Sequence, residues 1–301
     1  ATIRLAGIGL ALAAVTAPAL SAPSQVPLLS RDGYEGKPNL MFTLDDSGSM
    51  DWQFMPDSVY NNNYPGAGVY NVGFDPSEIN QIPFARNRFI STDTGDRIVA
   101  AWRSNHINKV YYNPEILYLP WVESDGTPFP DSPPTAAVVT PQAATPTTVD
   151  LTTSGNVTAR WCGVGGCPTQ TINYAPATYF QYNGGDETDP DNYTRIRIID
   201  SLAYTRSSSR SECTVDLINP NVRVCTQQQE LQNFANWFTY YRRRMSLAIG
   251  ATSQAFASQG AGLRIGFGRI NNYGTSVDGR NHGAVVRGVR DFNGQDRLDF
   301  F

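Results

Sequence analysis

Apolar positions recur in three rhythms along this chain, and each rhythm predicts a different element. An unbroken run, Leu40-Met41-Phe42-Thr43-Leu44, follows Pro38 and reads as a buried strand. The next sustained pattern comes at residues 228–258. There Leu231, Phe234, Phe238, Tyr241, Met245, Ile249, Thr252 and Phe256 fall at steps of three and four and line one face of a helix. Gln259-Gly260 supplies its C-terminal stop. The Arg242-Arg243-Arg244 triplet spreads too far around such a helix to form one patch, so it reads as solvated flanks with stems packed on neighbours. Residues 263–270 alternate as a strand, residues 284–290 form another beyond an Asn/Gly-rich loop at 271–283, and residues 296–301 begin a further helix. Strand, helix, strand, strand, helix predicts an α/β sheet with one crossover, then a hairpin that leaves one antiparallel edge.

Residues 51–227 stand between the first strand and its helix as a large insertion. It is rich in aromatics and turn residues, as in Tyr60-Asn61-Asn62-Asn63-Tyr64-Pro65-Gly66 and Tyr111-Tyr112-Asn113-Pro114. Residues 127–146 are rich in Pro, Thr and Ala and read as an exposed, extended linker. Residues 193–199 alternate as a strand, and no internal repeat is evident. The aromatics could form a platform for carbohydrate or a host surface. The favoured reading is that they pack the insertion, with polar tips in water.

Composition adds a compartment. The chain has 301 residues, enough for two domains or one domain with a large insertion. Charged residues make up 17%, below the usual quarter, and Gly, Pro, Asn, Ser and Thr are abundant, which suits long ordered loops outside the cytoplasm. A net charge of −4 with no basic stripe gives no case for nucleic acid. Arg4, an apolar stretch at 5–15 and small residues to Ala22 read as a secretory signal peptide over residues 1–22, its charged start incomplete and its cleavage near Ser21 or Ala22. A membrane anchor is the alternative, but the apolar run falls short of the roughly 20 residues a span needs. No later segment qualifies, so the mature chain is expected to be exported, without a transmembrane span. Cys162 and Cys167 frame a Gly-rich loop, and Cys213 and Cys225 frame a hairpin turning at Asn219-Pro220-Asn221. Two local disulfides are the simplest of three connectivities. A four-cysteine zinc site ranks below them, because the spacings are not paired C-x₂-C and the chain's histidines are His106 and His282.

The sharpest chemistry lies in Asp45-Asp46-Ser47-Gly48-Ser49, directly after the first strand. Asp45, Ser47 and Ser49 place a carboxylate and two hydroxyls at i, i+2 and i+4. These are hard oxygen donors suited to a divalent cation, Mg²⁺ first and Ca²⁺ second, which keeps positions open for a partner's ligand. The alternative is an Asx turn in which the same groups bond local amides. Ligands of open α/β sheets gather beyond the carboxyl ends of strands, which favours the metal. The spacing resembles the Asp-x-Ser-x-Ser pattern of metal-ion-dependent adhesion sites in von Willebrand factor A domains. That resemblance implies a von Willebrand A-like, Rossmann-like sheet over residues 38–50 and 228–301, incomplete at the C-terminus. The large, loop- and strand-rich, disulfide-containing insertion interrupts it. It also implies that a Thr and a further Asp from later loops, beyond Phe301, complete the metal site.

Four stretches taken together are similar to the PilC/PilY family of type IV pilus tip-associated adhesins. They are residues 38–50 (PNLMFTLDDSGSM), 110–114 (VYYNP), 233–242 (NFANWFTYYR) and 263–271 (LRIGFGRIN). The resemblance implies a protein exported through the periplasm to the pilus tip and cell surface. There it would work with minor pilins to prime pilus assembly and contribute to twitching motility, adhesion to host or abiotic surfaces, and surface sensing. The family's C-terminal β-propeller has no counterpart in these residues. An enzyme is not expected: no G-x-S-x-G, H-E-x-x-H or P-loop occurs, and neither histidine sits in a recognisable triad context. The acidic run at 186–191 lacks the spacing and Gly of an EF-hand loop and reads as a solvated turn. Two function classes follow, a metal-dependent binding domain and a structural tip subunit whose motif merely stiffens a loop.

Overall fold

The computed structural model describes residues 36–55, 103–141, 143–160, 169–187, 190–271, 276, 277, 280, 281 and 283–301. The expected signal segment, Cys162, Cys167, His282 and the Tyr60–Gly66 stretch lie outside the described residues. In chain order the strands are β1 (Asn39–Leu44), β2 (Ala137–Val138), β3 (Thr148–Val149), β4 (Gly155–Arg160), β5 (Thr169–Tyr174), β6 (Thr178–Tyr182) and β7 (Tyr193–Arg197). They continue as β8 (Ala203–Ser207), β9 (Thr214–Val215), β10 (Val222–Thr226), β11 (Arg264–Arg269), β12 (Ser276–Val277), β13 (Arg280–Asn281) and β14 (Val285–Asp291). The helices are α1 (Gln227–Tyr240), α2 (Arg244–Ala257) and α3 (Gly294–Leu298). The chain is a mixed α/β protein built from small sheets.

The sheet that carries the donor motif has the order β1-β11-β14. β1 runs parallel to β11 in unbroken register from Asn39↔Arg264 to Leu44↔Arg269, and β14 returns antiparallel on the far side of β11. This is the crossover followed by a hairpin that the pattern predicts. Gly266 and Gly268 allow the close approach of β14. A Cβ at Gly266 would lie 3.0 Å from Met41 Sδ and 3.1 Å from the Arg287 carbonyl, and one at Gly268 would lie 2.9 Å from the Ala284 carbonyl. The β11–β14 register slips on both sides of Phe267. One face of the sheet is covered by phenylalanines from β1, β11, α2 and the segment after α3. Phe42 meets Phe256 of α2 at 5.6 Å, Phe267 at 6.1 Å and Phe300 at 6.0 Å between ring centroids.

The apolar run 40–44 forms a strand, but not a buried one: Leu40 and Met41 remain 42% and 46% exposed. β1 is the edge of this sheet among the described residues, so its outer side has no neighbour to bury it. The single helix expected over 228–258 is two. Tyr241 (φ −137°) and Arg243 (φ −111°, ψ 151°) leave helical geometry, and α2 restarts with the Arg244 N–H donating to the Trp52 carbonyl at 3.1 Å.

The break follows from where the arginines go. Arg242 is buried; its guanidinium lies 4.4 Å from the Phe238 ring centroid and donates to the Phe238 and Val139 carbonyls at 2.6 and 2.5 Å. The triplet is therefore not a set of solvated flanks. Ser132 and Val138, inside the expected linker, are likewise docked rather than free. The Ser132 N–H donates to Asn236 Oδ1 at 2.9 Å, Gln232 Nε2 donates to the Ser132 carbonyl, and the Thr239 hydroxyl donates to the Val138 carbonyl. The polar side of α1 partners this segment, with donors from Gln232 and Thr239 and an acceptor from Asn236.

α1 opens with a capping box between Thr226 and Gln229 and then enters an aromatic core with Tyr111, Tyr112, Trp121 and Tyr179. Tyr112 and Phe234 are fully buried, 4.9 Å apart between ring centroids. The rings pack as expected, but their polar tips bond backbone rather than water. Trp237 Nε1 donates to the Val110 carbonyl, Trp121 Nε1 to Tyr240 and the Tyr111 hydroxyl to Thr178, at 2.9, 2.8 and 2.7 Å. The disulfide Cys213–Cys225 staples the antiparallel β9–β10 hairpin directly before α1.

Candidate metal centre

Because β1 and β11 are parallel, the chain leaves both at the same end of the sheet. Asp45 is the first residue beyond β1, and a 3-10 turn over Gly48–Asp51 carries the chain away. That turn is closed by the Met50 N–H on the Ser47 carbonyl at 2.9 Å. Asp45, Ser47 and Ser49 are thus gathered on one tight bend. Asp45 Oδ1 accepts the Ser47 N–H at 2.9 Å, and the Ser47 and Ser49 hydroxyl oxygens lie 3.0 Å apart. The Ser47 amide and then its hydroxyl hold the exposed Asp45 carboxyl below the usual carboxylate range, so it is anionic at neutral pH.

One carboxylate and two hydroxyls are donors of the chemistry that a small divalent ion would take. An octahedral Mg²⁺ holds oxygens at about 2.0–2.1 Å, which puts adjacent ligands about 2.9 Å from each other. The Ser47–Ser49 hydroxyl pair has that spacing. The same geometry is also an Asx turn with an O–H···O hydrogen bond, so both sequence readings meet in one arrangement.

The exit from the turn is firmly held. Arg244 Nε donates to the Phe54 carbonyl at 2.8 Å, and its guanidinium lies 5.1 and 5.3 Å from the Trp52 and Phe54 ring centroids. Asn108 Nδ2 donates to the Gln53 carbonyl at 2.9 Å, while its Oδ1 accepts the Met55 N–H at 3.0 Å. On the other flank Asp46 Oδ1 accepts the Asn271 N–H at 2.7 Å, and Asn271 Nδ2 returns a bond to the Asp46 carbonyl at 2.9 Å. The sequence reading passed over Asp46, Asn108, Arg244 and Asn271. Their partners lie 53 to 225 residues away, and no local spacing signals them.

The other candidates are placed as follows. His106 stacks on Tyr182 at 4.1 Å between ring centroids and faces Glu187 Oε1 at 2.6 Å. Thr188 and Asp189 of the acidic run lie outside the described residues; at its start the Asp186 carbonyl accepts from Asn192 Nδ2 and the Glu187 carbonyl from the Tyr193 hydroxyl. Cys213 and Cys225, beside Glu212, form the cluster of potential metal ligands among the described residues, but both sulfurs are spent in the disulfide. No helix among the described residues is long and apolar enough to cross a membrane.

Comparison with known proteins bears on this arrangement. The chain is 28% identical over 306 residues, 99% of its length, to the type IV pilus biogenesis factor PilY1 of Pseudomonas aeruginosa strain PAK. Over nearly its whole length this chain is similar to PilY1 pilus biogenesis factors. The PilY1 of P. aeruginosa strain UCBPP-PA14 is also 28% identical, over 92% of the chain. The chain spans about a fifth of the length of these curated PilY1 relatives, 21% and 19%. No family model and no solved structure matches it.

Proposed function

We propose that this chain acts in a type IV pilus system as a tip-associated adhesin and assembly factor, a binding protein rather than an enzyme. It would present a divalent-metal adhesion site from a von Willebrand A-like sheet. The observation that carries this reading is the 3.0 Å spacing of the Ser47 and Ser49 hydroxyls beside an ionised Asp45, at the carboxyl end of a strand in a β1-β11-β14 sheet. Similarity to pilus biogenesis factors supports the setting. In it, minor pilins would be assembly partners, a host or abiotic surface the adhesion target, and the cell surface the location. Twitching motility and surface sensing would be the processes served.

Asp45 would supply the negative charge, and Ser47 and Ser49 the neutral oxygens. A bound Mg²⁺ would supply a centre that takes up a further hard oxygen ligand. A single carboxylate among three donors leaves an excess of positive charge, so an acidic group on a partner is the ligand best matched to the site. The second reading, a structural subunit with an Asx turn at the motif, is favoured by the Ser47 N–H bond to Asp45. The Ser47→Ala/Ser49→Ala double variant in the intact protein separates the two. Adhesion lost with normal piliation is the expected result. Piliation lost with the fold intact supports the structural subunit, and unchanged behaviour in both assays sinks the metal site.

A further inference from the structure

Asp46 sits between two of the three donors, yet its own bonds point away from them. It faces the loop that leaves β11, 225 residues on. Its side chain takes the Asn271 backbone N–H at 2.7 Å, and its backbone carbonyl takes the Asn271 side-chain amide at 2.9 Å. Arg269, the last residue of β11, places Nε 3.7 Å from the second Asp46 oxygen.

The second of these bonds acts on the donor set through one rigid unit. The Asp46 carbonyl and the Ser47 N–H belong to the same planar peptide group. Its oxygen end is held by Asn271 Nδ2, and its hydrogen end donates to Asp45 Oδ1 at 2.9 Å. Turning that plane would release either Asn271 or the Asp45 carboxylate. The orientation of the one charged donor is therefore set from the loop after β11.

We propose that Asp46 and Asn271 are positioning residues for the Asp45/Ser47/Ser49 site: a reciprocal two-bond bracket that locks the donor turn to the loop leaving β11. The inference rests on the metal-site reading. The bracket ties the turn to Asn271, so a partner that shifts Asn271 also shifts the donors.

The test is Mn²⁺ binding by the intact protein, followed by electron paramagnetic resonance of the free ion, with melting in EDTA as the control for fold. Partners that orient metal ligands are worth roughly 10- to 100-fold in affinity. Asp46→Ala and Asn271→Ala are expected to weaken Mn²⁺ binding by roughly that factor while melting in EDTA holds. Asp46→Asn keeps a carbonyl oxygen for the Asn271 N–H and is expected to bind almost as the unaltered protein does. Ser47→Ala is measured alongside. If Ser47→Ala binds Mn²⁺ normally, the metal reading fails and the bracket's role fails with it. If Ser47→Ala loses binding but Asp46→Ala and Asn271→Ala do not, only the bracket is overturned. Asp46→Asn falling as far as Ser47→Ala would make Asp46 a direct ligand. A drop in EDTA melting that Asp46→Asn does not restore would make it a purely structural residue. Either result overturns the positioning role.

Discussion

Glu230 is a buried charge bonded by two arginines and a tyrosine. It is fully buried in the first turn of α1. Its Oε1 accepts from Arg206 Nε at 2.9 Å and Arg210 Nη1 at 2.8 Å, and its Oε2 accepts from the Tyr112 hydroxyl at 3.0 Å. Burial, and then the Glu230 charge, push the Tyr112 phenol well above its ordinary range, so it stays a neutral donor. Arg206 and Arg210 are themselves buried, at 7% and 0% exposure, and Glu230 is the carboxylate they share. Removing one partner of such a cluster leaves uncompensated charge in the interior, a loss of about 3–5 kcal/mol. Glu230→Ala is expected to lose that much stability in urea denaturation. A loss below about 1 kcal/mol, the worth of an exposed pair, would mean that water reaches the arginines. None of this is visible in the local sequence, where Glu230 reads as an ordinary acidic residue in a helix's first turn.

At the level of elements, the α1–α2 corner is set by close approach. Gly250 lies inside α2, where glycine is usually unfavourable by roughly 0.5–1 kcal/mol relative to alanine. A Cβ there would sit 2.9 Å from Trp121 Cδ1 and Nε1 and 2.9 Å from Tyr241 Cε1. Trp121 cannot easily yield, since it is buried and its Nε1 donates to the Tyr240 carbonyl. Overpacking should therefore outweigh helix propensity. Gly250→Ala is expected to destabilise by about 1–3 kcal/mol and to shift tryptophan fluorescence, whereas a stabilised variant would show the contact to be loose. The same corner marks how far patterning reaches. β1 was legible as a short apolar run, β11 and β14 as strand patterns and the Cys213–Cys225 hairpin from its turn residues, because such signals act over a few positions. The step-of-three-and-four pattern runs unbroken through Tyr241, so it could not reveal a break imposed by Arg242 reaching Val139 and by Arg244 reaching Trp52. At the site, Asp45, Ser47 and Ser49 were legible as a spacing, while the Asn271 bracket depends on β1 and β11 being neighbours.

Across residues 39–301, the donor turn hangs between the three-stranded sheet and the aromatic core of the insertion. β1 leads into it, and Asn108 receives it on the far side. Asn108 is fully buried, and its side chain bridges two strands of chain: Nδ2 donates to the Gln53 carbonyl, and Oδ1 accepts from Met55 and, at 3.3 Å, from Val110. The Lys109 N–H adds a bond to the Met55 carbonyl at 2.8 Å. The insertion thus holds the segment that leaves the Asp45–Ser49 turn. Asn108→Ala strands a buried carbonyl and two N–H groups, a loss of about 1–3 kcal/mol for each group left without a partner. In hydrogen exchange followed by mass spectrometry, residues 53–55 and 108–110 should exchange faster in the variant, while the β1–β11–β14 ladder keeps its protection. Equal acceleration across the ladder would mean that sheet and insertion open as one cooperative unit. Protection unchanged at 53–55 would place the anchor of the turn in Arg244 and the Lys109 N–H.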